Sequence, residues 1–370
     1  MIAPSKRLAI FVPSMHGHGA ERTMLNLAQG MADRGYAVDL VLARAEGPLL
    51  AEVPKAVRVV DLRASRVLLS LPALMHYLRH ERPHSMLSVM HYANIVALWA
   101  RRLAGVLTRV VVSERNTLSR SVQHTSRRRG RLMPHLIRRF YPWADGIVAV
   151  SKGVADDLAQ VTGIPRERIQ VIYNPVVTPE LHQKAQAPLD HPWFKPGEVP
   201  VLLAVGRLVV QKDFPTLIQA FARVRQARPT RLLILGEGDE RPALEALVRQ
   251  LGLKQDVSLP GWVENPCPHM VQASVFVLSS RWEGLPGVLI EALYCGCGVH
   301  LIATDCPSGS REILSNGQYG QLVPVGDVGA LALAIETALA GKKPHLPRES
   351  WRPFEPETVV NQYINILLES

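Results

Sequence analysis

Two carboxylates, Glu283 and Glu291, bracket the segment Gly-Leu-Pro-Gly-Val-Leu-Ile at 284–290. Pro286 and Gly287 suit the start of a helix, whose first N–H groups lack intrahelical partners and form an anion site. Glu291, one turn further up, leans back toward that start and can accept hydrogen bonds from hydroxyls beside the anion. Glu283 falls in the preceding loop, on the far side. Acids flanking an anion site suit a ligand with hydroxyls at both ends and phosphate between, the layout of ribose, diphosphate and hexose in a nucleotide sugar. The same spacing also fits two solvated glutamates bounding an ordinary helix.

A second group is Gly206-Arg207 with Lys212. A planar guanidinium and a flexible ammonium five residues apart can clamp adjacent phosphates. Asp213 is expected to cap the next helix, with Pro215 in its first turn. The plainer alternative is a strand-to-helix turn with two surface cations. Gly17-His18-Gly19 has the Gly-x-Gly of a dinucleotide fingerprint but no third glycine, and Asp39 falls inside the next strand instead of closing it. These glycines therefore read as a place where backbone approaches a ligand. His91 follows a strand and is expected to face the ligand; a satisfied core or surface histidine is the alternative. The adjacent acidic pairs, Asp156-Asp157 and Asp239-Glu240, are not placed as an Asp-x-Asp metal motif after a strand, so no metal is expected. Cys267, Cys295, Cys297 and Cys306 form neither a disulfide framework nor a zinc set of the usual spacing.

The elements that must hold these groups read as alternating strands and helices. Arg7–Pro13, a glycine turn, a helix over Ala20–Arg34 and a strand over Ala37–Ala43 make a βαβ start. Val57–Leu62, Ser85–Val89, Arg109–Ser113, Ala144–Ser151 and Ile169–Ile172 continue it. Residues 175–199 hold Pro175, Pro179, Pro188, Pro192 and Pro196 and read as a linker. Strands then restart at Pro200–Gly206, Arg231–Gly236, Val257–Leu259, Ser274–Ser280, His300–Thr304 and Gln321–Val323. Helices fall at Asp213–Gln226, Glu240–Leu251, Gly287–Tyr294, Val328–Ala340 and Glu357–Leu368. The expected fold is α/β: two doubly wound Rossmann-like domains, 1–180 and 181–350, facing across a cleft. A last helix within 351–370 is expected to cross back to the first domain. Ligands of such sheets sit at the carboxyl ends of the strands.

Charge separates the halves. Residues 1–180 carry 25 basic and 13 acidic side chains, net +12, whereas residues 181–370 carry 17 and 19, net −2. No acid lies between Glu114 and Asp145, a stretch with Arg115, Arg120, Arg127, Arg128, Arg129, Arg131, Arg138 and Arg139. Leu132, Leu136, Ile137, Phe140 and Tyr141 recur at helical spacing there. An amphipathic basic helix suits an anionic membrane surface; a solvated basic helix is the alternative. Nucleic acid is disfavoured, because aromatic residues are only 6% and no known module is present. No run of 18 apolar residues and no secretory leader is read in the sequence, so the expectation is a cytoplasmic protein, peripheral on the inner face of the cell membrane.

Taken together, these residues resemble the retaining glycosyltransferases of family 4, which have the two-domain GT-B fold. The carriers are GHGAER at 17–22, HYANIVAL at 91–98, SERN at 113–116, AVSKGV at 149–154, YNPV at 173–176, VGRLVVQKDF at 205–214, LGEGDER at 235–241, SSRWEGLPGVLIEAL at 279–293 and TDCPSGSREIL at 304–314. The resemblance is to bacterial enzymes that extend lipid-linked or capsular glycans. It implies transfer of a hexose or N-acetylhexosamine from a UDP-sugar to a lipid-linked or polysaccharide acceptor, with no cofactor. It places Arg207 and Lys212 on the donor diphosphate, Glu291 on the ribose, and Glu283 near the 3- and 4-hydroxyls of the donor sugar. Gly287 and Val288 supply backbone N–H groups, Gly19 touches the phosphate side and His91 approaches the 6-hydroxyl. Gly236 and Val263 complete the donor side; Glu114, Arg115 and Asn116 lie on the acceptor side. The leaving diphosphate would be stabilised by Arg207, Lys212 and the helix start instead of a metal, with front-side attack through an oxocarbenium-like state. A non-catalytic protein binding nucleic acid or a sugar nucleotide is the alternative.

Overall fold

The computed structural model describes residues 6–16, 19–119, 128–296, 298–342 and 344–369. The chain forms two compact units, residues 1–176 with 354–370, and residues 177–353.

Unit 1 is built on a seven-stranded sheet in the order β3-β2-β1-β4-β5-β6-β7. The strands are β1 (Arg7–Val12), β2 (Ala37–Leu42), β3 (Val57–Asp61), β4 (Ser85–Val89), β5 (Arg109–Glu114), β6 (Gly146–Ala149) and β7 (Ile169–Val171). Every pairing is parallel, with Leu8 opposite Val38 on one side of β1 and Ser85 on the other. Helices cover both faces, so the strands read as continuous apolar runs and not as alternation; Leu8 to Val12 are all fully buried. The helices are α1 (Gly19–Ala32), α2 (Leu71–Glu81), α3 (His91–Ala104), α4 (Arg128–Phe140), α5 (Lys152–Thr162) and, from the end of the chain, α13 (Pro356–Leu368). Helix α13 belongs to this core. Val359, Val360, Tyr363, Ile364, Ile366 and Leu367 are buried in one cluster with Met24, Leu27 and Met31 of α1. Two glycines admit it: a Cβ on Gly30 would meet Val360 Cγ2 at 2.6 Å, and one on Gly146 would meet Ile366 Cδ1 at 2.9 Å.

Unit 2 has a six-stranded parallel sheet in the order β10-β9-β8-β11-β12-β13. Its strands are β8 (Val201–Val205), β9 (Arg231–Leu235), β10 (Val257–Gly261), β11 (Val275–Leu278), β12 (His300–Thr304) and β13 (Gln321–Val323). Its helices are α6 (Pro179–Ala185), α7 (Phe214–Ala227), α8 (Arg241–Gln250), α9 (Cys267–Gln272), α10 (Gly287–Cys295), α11 (Ser310–Ile313) and α12 (Val328–Ala340). Leu217, Phe221 and Val224 of α7 pack with Leu331 and Ile335 of α12 over β8 and β11.

In each sheet the strand order reverses once, between β1 and β4 and between β8 and β11, and such reversals leave a crevice at the carboxyl ends. Three local expectations are corrected. The proline-rich stretch 175–199 is not free of structure: Thr178 Oγ accepts from the Leu181 N–H and Pro179 occupies the first turn of α6, with a 3-10 turn at Pro192–Phe194. Asp213 precedes α7 with φ 49°, but its carboxylate bonds no backbone N–H of that helix. It accepts instead from Thr216 Oγ1 and Arg281 Nη2, both at 2.9 Å. The expected strand Ser274–Ser280 stops at Leu278, which frees Ser279 and Ser280 for the loop below.

Candidate functional site

The carboxyl ends of β8 and β11 in unit 2 carry two loops, residues 206–213 and 279–286, and these are stitched together. Ser279 Oγ donates to the Lys212 carbonyl at 2.7 Å, the Arg281 N–H to the Gln211 carbonyl at 2.8 Å, and Gln211 Nε2 to the Trp282 carbonyl at 2.9 Å. The Arg281–Asp213 ion pair closes the far edge. This stitching brings Lys212 and Glu283 together: Nζ lies 2.6 Å from Oε1, and both side chains are largely buried. Ser280 Oγ donates to the same Oε1 at 2.6 Å, and Gln211 Nε2 reaches Oε2 at 3.4 Å. A buried carboxylate is tolerated when it is paired and hydrogen-bonded, as here.

Glycines make room for the first loop. A Cβ on Gly236, at φ 147°, would stand 2.0 Å from the Gly206 carbonyl oxygen. Above the second loop, Gly309 at φ 84° would collide with Pro286 Cδ at 2.6 Å and the Gly284 carbonyl oxygen at 2.8 Å; Ser308 Oγ donates to that same oxygen at 2.7 Å. Pro286 is the N-cap of α10, which begins at Gly287 as the sequence predicts. Gly287 and Val288 are half-buried and Glu291 stands one turn on, also half-buried. Arg207 is exposed at the mouth of the first loop and, among the described residues, enters no ion pair. Val263 is half-buried just past β10, beside the exposed Trp262. The set can therefore present a cation, a helix start and an anchored acid to one ligand. Ser280 and Gln211 were given no role in the sequence; their signal is that they lie inside the 279–293 and 205–214 motifs, near Glu283 and Lys212.

Unit 1 places its residues differently. Gly19 opens α1, and a Cβ there would meet nothing within 4 Å; Gly17 and His18 lie outside the described residues. His91 is the first residue of α3 and not a strand end, because Met90 turns the chain at φ 78°. Burial pushes its imidazole down to about 4, so it is neutral at pH 7. Glu114 and Arg115 are buried and Asn116 is exposed. The Tyr141 hydroxyl and Asn94 Nδ2 (3.2 Å) donate to Glu114 Oε1, and burial pushes Glu114 up to about 7. Arg115 Nη2 donates to Asn174 Oδ1 at 2.6 Å, and its other nitrogen faces the Tyr363 hydroxyl of α13. Glu114 and Arg115 are thus spent inside the core of unit 1. Asp39 is likewise a structural acid, held in β2 by Arg58 and by the Tyr77 hydroxyl at 2.7 Å.

Of the basic stretch, Arg120 and Arg127 lie outside the described residues. Arg128, Arg129 and Arg131 fall on α4, and Arg138 and Arg139 are exposed on it. Arg139 stacks over the Phe140 and Trp143 rings at 5.7 and 5.6 Å. No described helix is long and apolar enough to cross a membrane. Among the described residues no group of three or more His, Cys, Asp or Glu side chains is arranged to hold a metal ion.

Comparison with known proteins bears on both units. Residues 17–179 match the family model Glycosyltransferase Family 4, and residues 199–341 match Glycosyl transferases group 1. The chain is 31% identical over 352 residues to an N-acetylgalactosamine-N,N'-diacetylbacillosaminyl-diphospho-undecaprenol 4-alpha-N-acetylgalactosaminyltransferase of Campylobacter jejuni, covering 91% of each. It is 28% identical to the lipopolysaccharide core biosynthesis glycosyltransferase LpsE of Rhizobium meliloti, covering 87% of this chain and 86% of that one. Among solved structures, Anabaena HepE in complex with UDP and glucose superposes with a TM-score of 0.79 at 21% identity, over 99% of this chain and all of that one.

Proposed function

The chain belongs to glycosyltransferase family 4, with the GT-B fold and a place in surface-glycan assembly, and from that premise we propose that unit 2 binds a UDP-sugar and that transfer retains the anomeric configuration without a metal. The observation that carries the reading is the junction at β8 and β11: an anchored Lys212–Glu283 pair, a free Arg207 and the start of α10 at one sheet reversal. Retention and the donor draw further support from the family resemblance, and the donor from the UDP held by HepE.

In this mechanism Arg207 and the first N–H groups of α10 take the diphosphate. Both are preorganised positive potential, which stabilises charge as it develops on the leaving group. Lys212 lends charge to the same diphosphate while still facing Glu283. Glu291 holds the ribose hydroxyls, and Glu283 holds hydroxyls of the donor sugar. In unit 1, Gly19 opens a helix where backbone can approach a ligand, and His91, being neutral, is an uncharged partner for a hydroxyl. Without a carboxylate assigned to the back of the sugar, the acceptor attacks from the leaving-group face. The acceptor is a lipid-linked or growing glycan, and the exposed arginines of α4 rest on anionic lipid at the inner face of the membrane.

A thermal-shift panel of UDP-glucose, UDP-galactose, their N-acetyl forms and GDP-mannose, each with and without EDTA, tests this reading. One UDP-sugar is expected to raise the melting temperature equally in both conditions. Stabilisation abolished by chelator sinks the metal-free mechanism, and a response to GDP-mannose alone sinks the UDP assignment.

A further inference from the structure

Besides Lys212, Glu283 is held by two residues of the quoted motifs to which the family resemblance gave no role, Ser280 and Gln211. Its Oε1 receives Lys212 Nζ and Ser280 Oγ, both at 2.6 Å, while Oε2, among the described residues, receives only the Gln211 amide at 3.4 Å. A carboxylate oxygen accepts about two hydrogen bonds, so Oε1 is filled and Oε2 keeps capacity. Both holders are themselves anchored. Ser280 is fully buried, and its carbonyl accepts from Thr304 Oγ1 at the end of β12. Gln211 is fixed at both ends, its side-chain amide on the Trp282 carbonyl and its own carbonyl under the Arg281 N–H. Ser280, fully buried, has no surface to offer a ligand.

We propose that Ser280 and Gln211 are positioning residues that fix the Glu283 carboxylate with Oε2 turned to the donor sugar, and that this fixed oxygen sets selectivity between sugars differing at one hydroxyl. The proposal rests on the reading of Glu283 as a donor-sugar contact. Its physical need comes from Lys212. An ammonium shared with a diphosphate is a variable anchor, whereas a buried hydroxyl and a strapped amide hold the same rotamer in the free and the bound protein. A group built to accept from one hydroxyl rejects the epimer only while its orientation is fixed.

The test uses the full chain with Ser280→Ala and, separately, Gln211→Met, which keeps length and removes the donor. Release of UDP from each member of the pairs UDP-glucose/UDP-galactose and UDP-N-acetylglucosamine/UDP-N-acetylgalactosamine gives the epimer ratio of kcat/KM; inhibition by UDP reports the nucleotide site. The preferred-to-epimer ratio is expected to fall about tenfold in either variant, with UDP inhibition moving less than about threefold. Ser280→Thr, which returns the hydroxyl, is expected to recover the ratio if the added methyl is housed. Gln211→Met stands on its own where Ser280 variants fail to fold. If Glu283→Gln loses the ratio while Ser280→Ala and Gln211→Met keep it, the positioning role is wrong and the Glu283 reading survives. If Glu283→Gln keeps the wild-type ratio, both fall together.

Discussion

The reversal of strand order in unit 2 and the one in unit 1 are built alike, yet the side chains nearby are held differently. At β8 and β11 the acids come with cations: Glu283 with Lys212, Asp213 with Arg281. Beside β4, in unit 1, two titratable groups are governed by burial instead. His91 is driven toward neutrality by burial, and Glu114, one strand over on β5, sits on a phenol and an amide with its carboxyl pushed up to about 7. One fold therefore carries a charge-paired junction in unit 2 and, in unit 1, groups whose protonation is set by desolvation. Backbone topology selects where a ligand sits, and side-chain pairing selects its charge.

The largest expected effect probes the buried acid of unit 1. Glu114 has a folded value of about 7 against 4.5 for the free group. Its contribution is therefore fully present below the unfolded value and is lost as pH rises through 7, about 3 kcal/mol in all. Denaturant unfolding between pH 5 and 8.5 should show wild type losing stability that Glu114→Gln retains. Equal pH slopes would remove the buried acid from the contrast. Next comes the charged side: Arg207→Ala should weaken UDP about thirtyfold, the worth of a charge-assisted phosphate contact of about 2 kcal/mol, and leave uridine unchanged. Calorimetry giving equal losses for UDP and uridine would take Arg207 off the diphosphate. The smallest effect concerns the exterior of unit 1. Arg138→Ser should lower affinity for anionic liposomes about fivefold, near 1 kcal/mol, with no change on neutral ones. Identical sedimentation with both lipids would leave α4 a solvated face.

Much of this was legible in the sequence because doubly wound sheets write themselves as apolar runs spaced by helices. Leu8–Val12 and Leu232–Leu235 are such runs, and both are buried on two faces. Strand ends were less legible, since Ser279 and Ser280 carry no periodicity and their side chains bond to loops instead of a ladder. The site was readable as residue types at fixed spacing: Arg207, Lys212, Glu283 and Glu291 all sit beyond strands of one sheet. Their pairing was not, because Lys212 and Glu283 stand 71 positions apart and meet only through the loop stitching. Asp213 shows the limit of cap rules. An Asp before Phe-Pro looks like an N-cap, but the competing bond to Arg281 lies 68 residues away. The partners of Glu114 and Arg115 were hidden for the related reason that they are distant in sequence, and only the tertiary fold reveals Tyr141, Asn174 and Tyr363.

The docking of α13 against α1 has a consequence for how the chain comes off the ribosome. Unit 2 is contiguous in sequence and can close as soon as it emerges, whereas unit 1, though synthesised first, must wait for Tyr363 and its neighbours before its interior is filled. For most of translation the earlier half is then an open-cored intermediate with exposed apolar surface, the species chaperones engage. Shortening the chain by its final helix would withdraw part of that half's interior, not trim a tail.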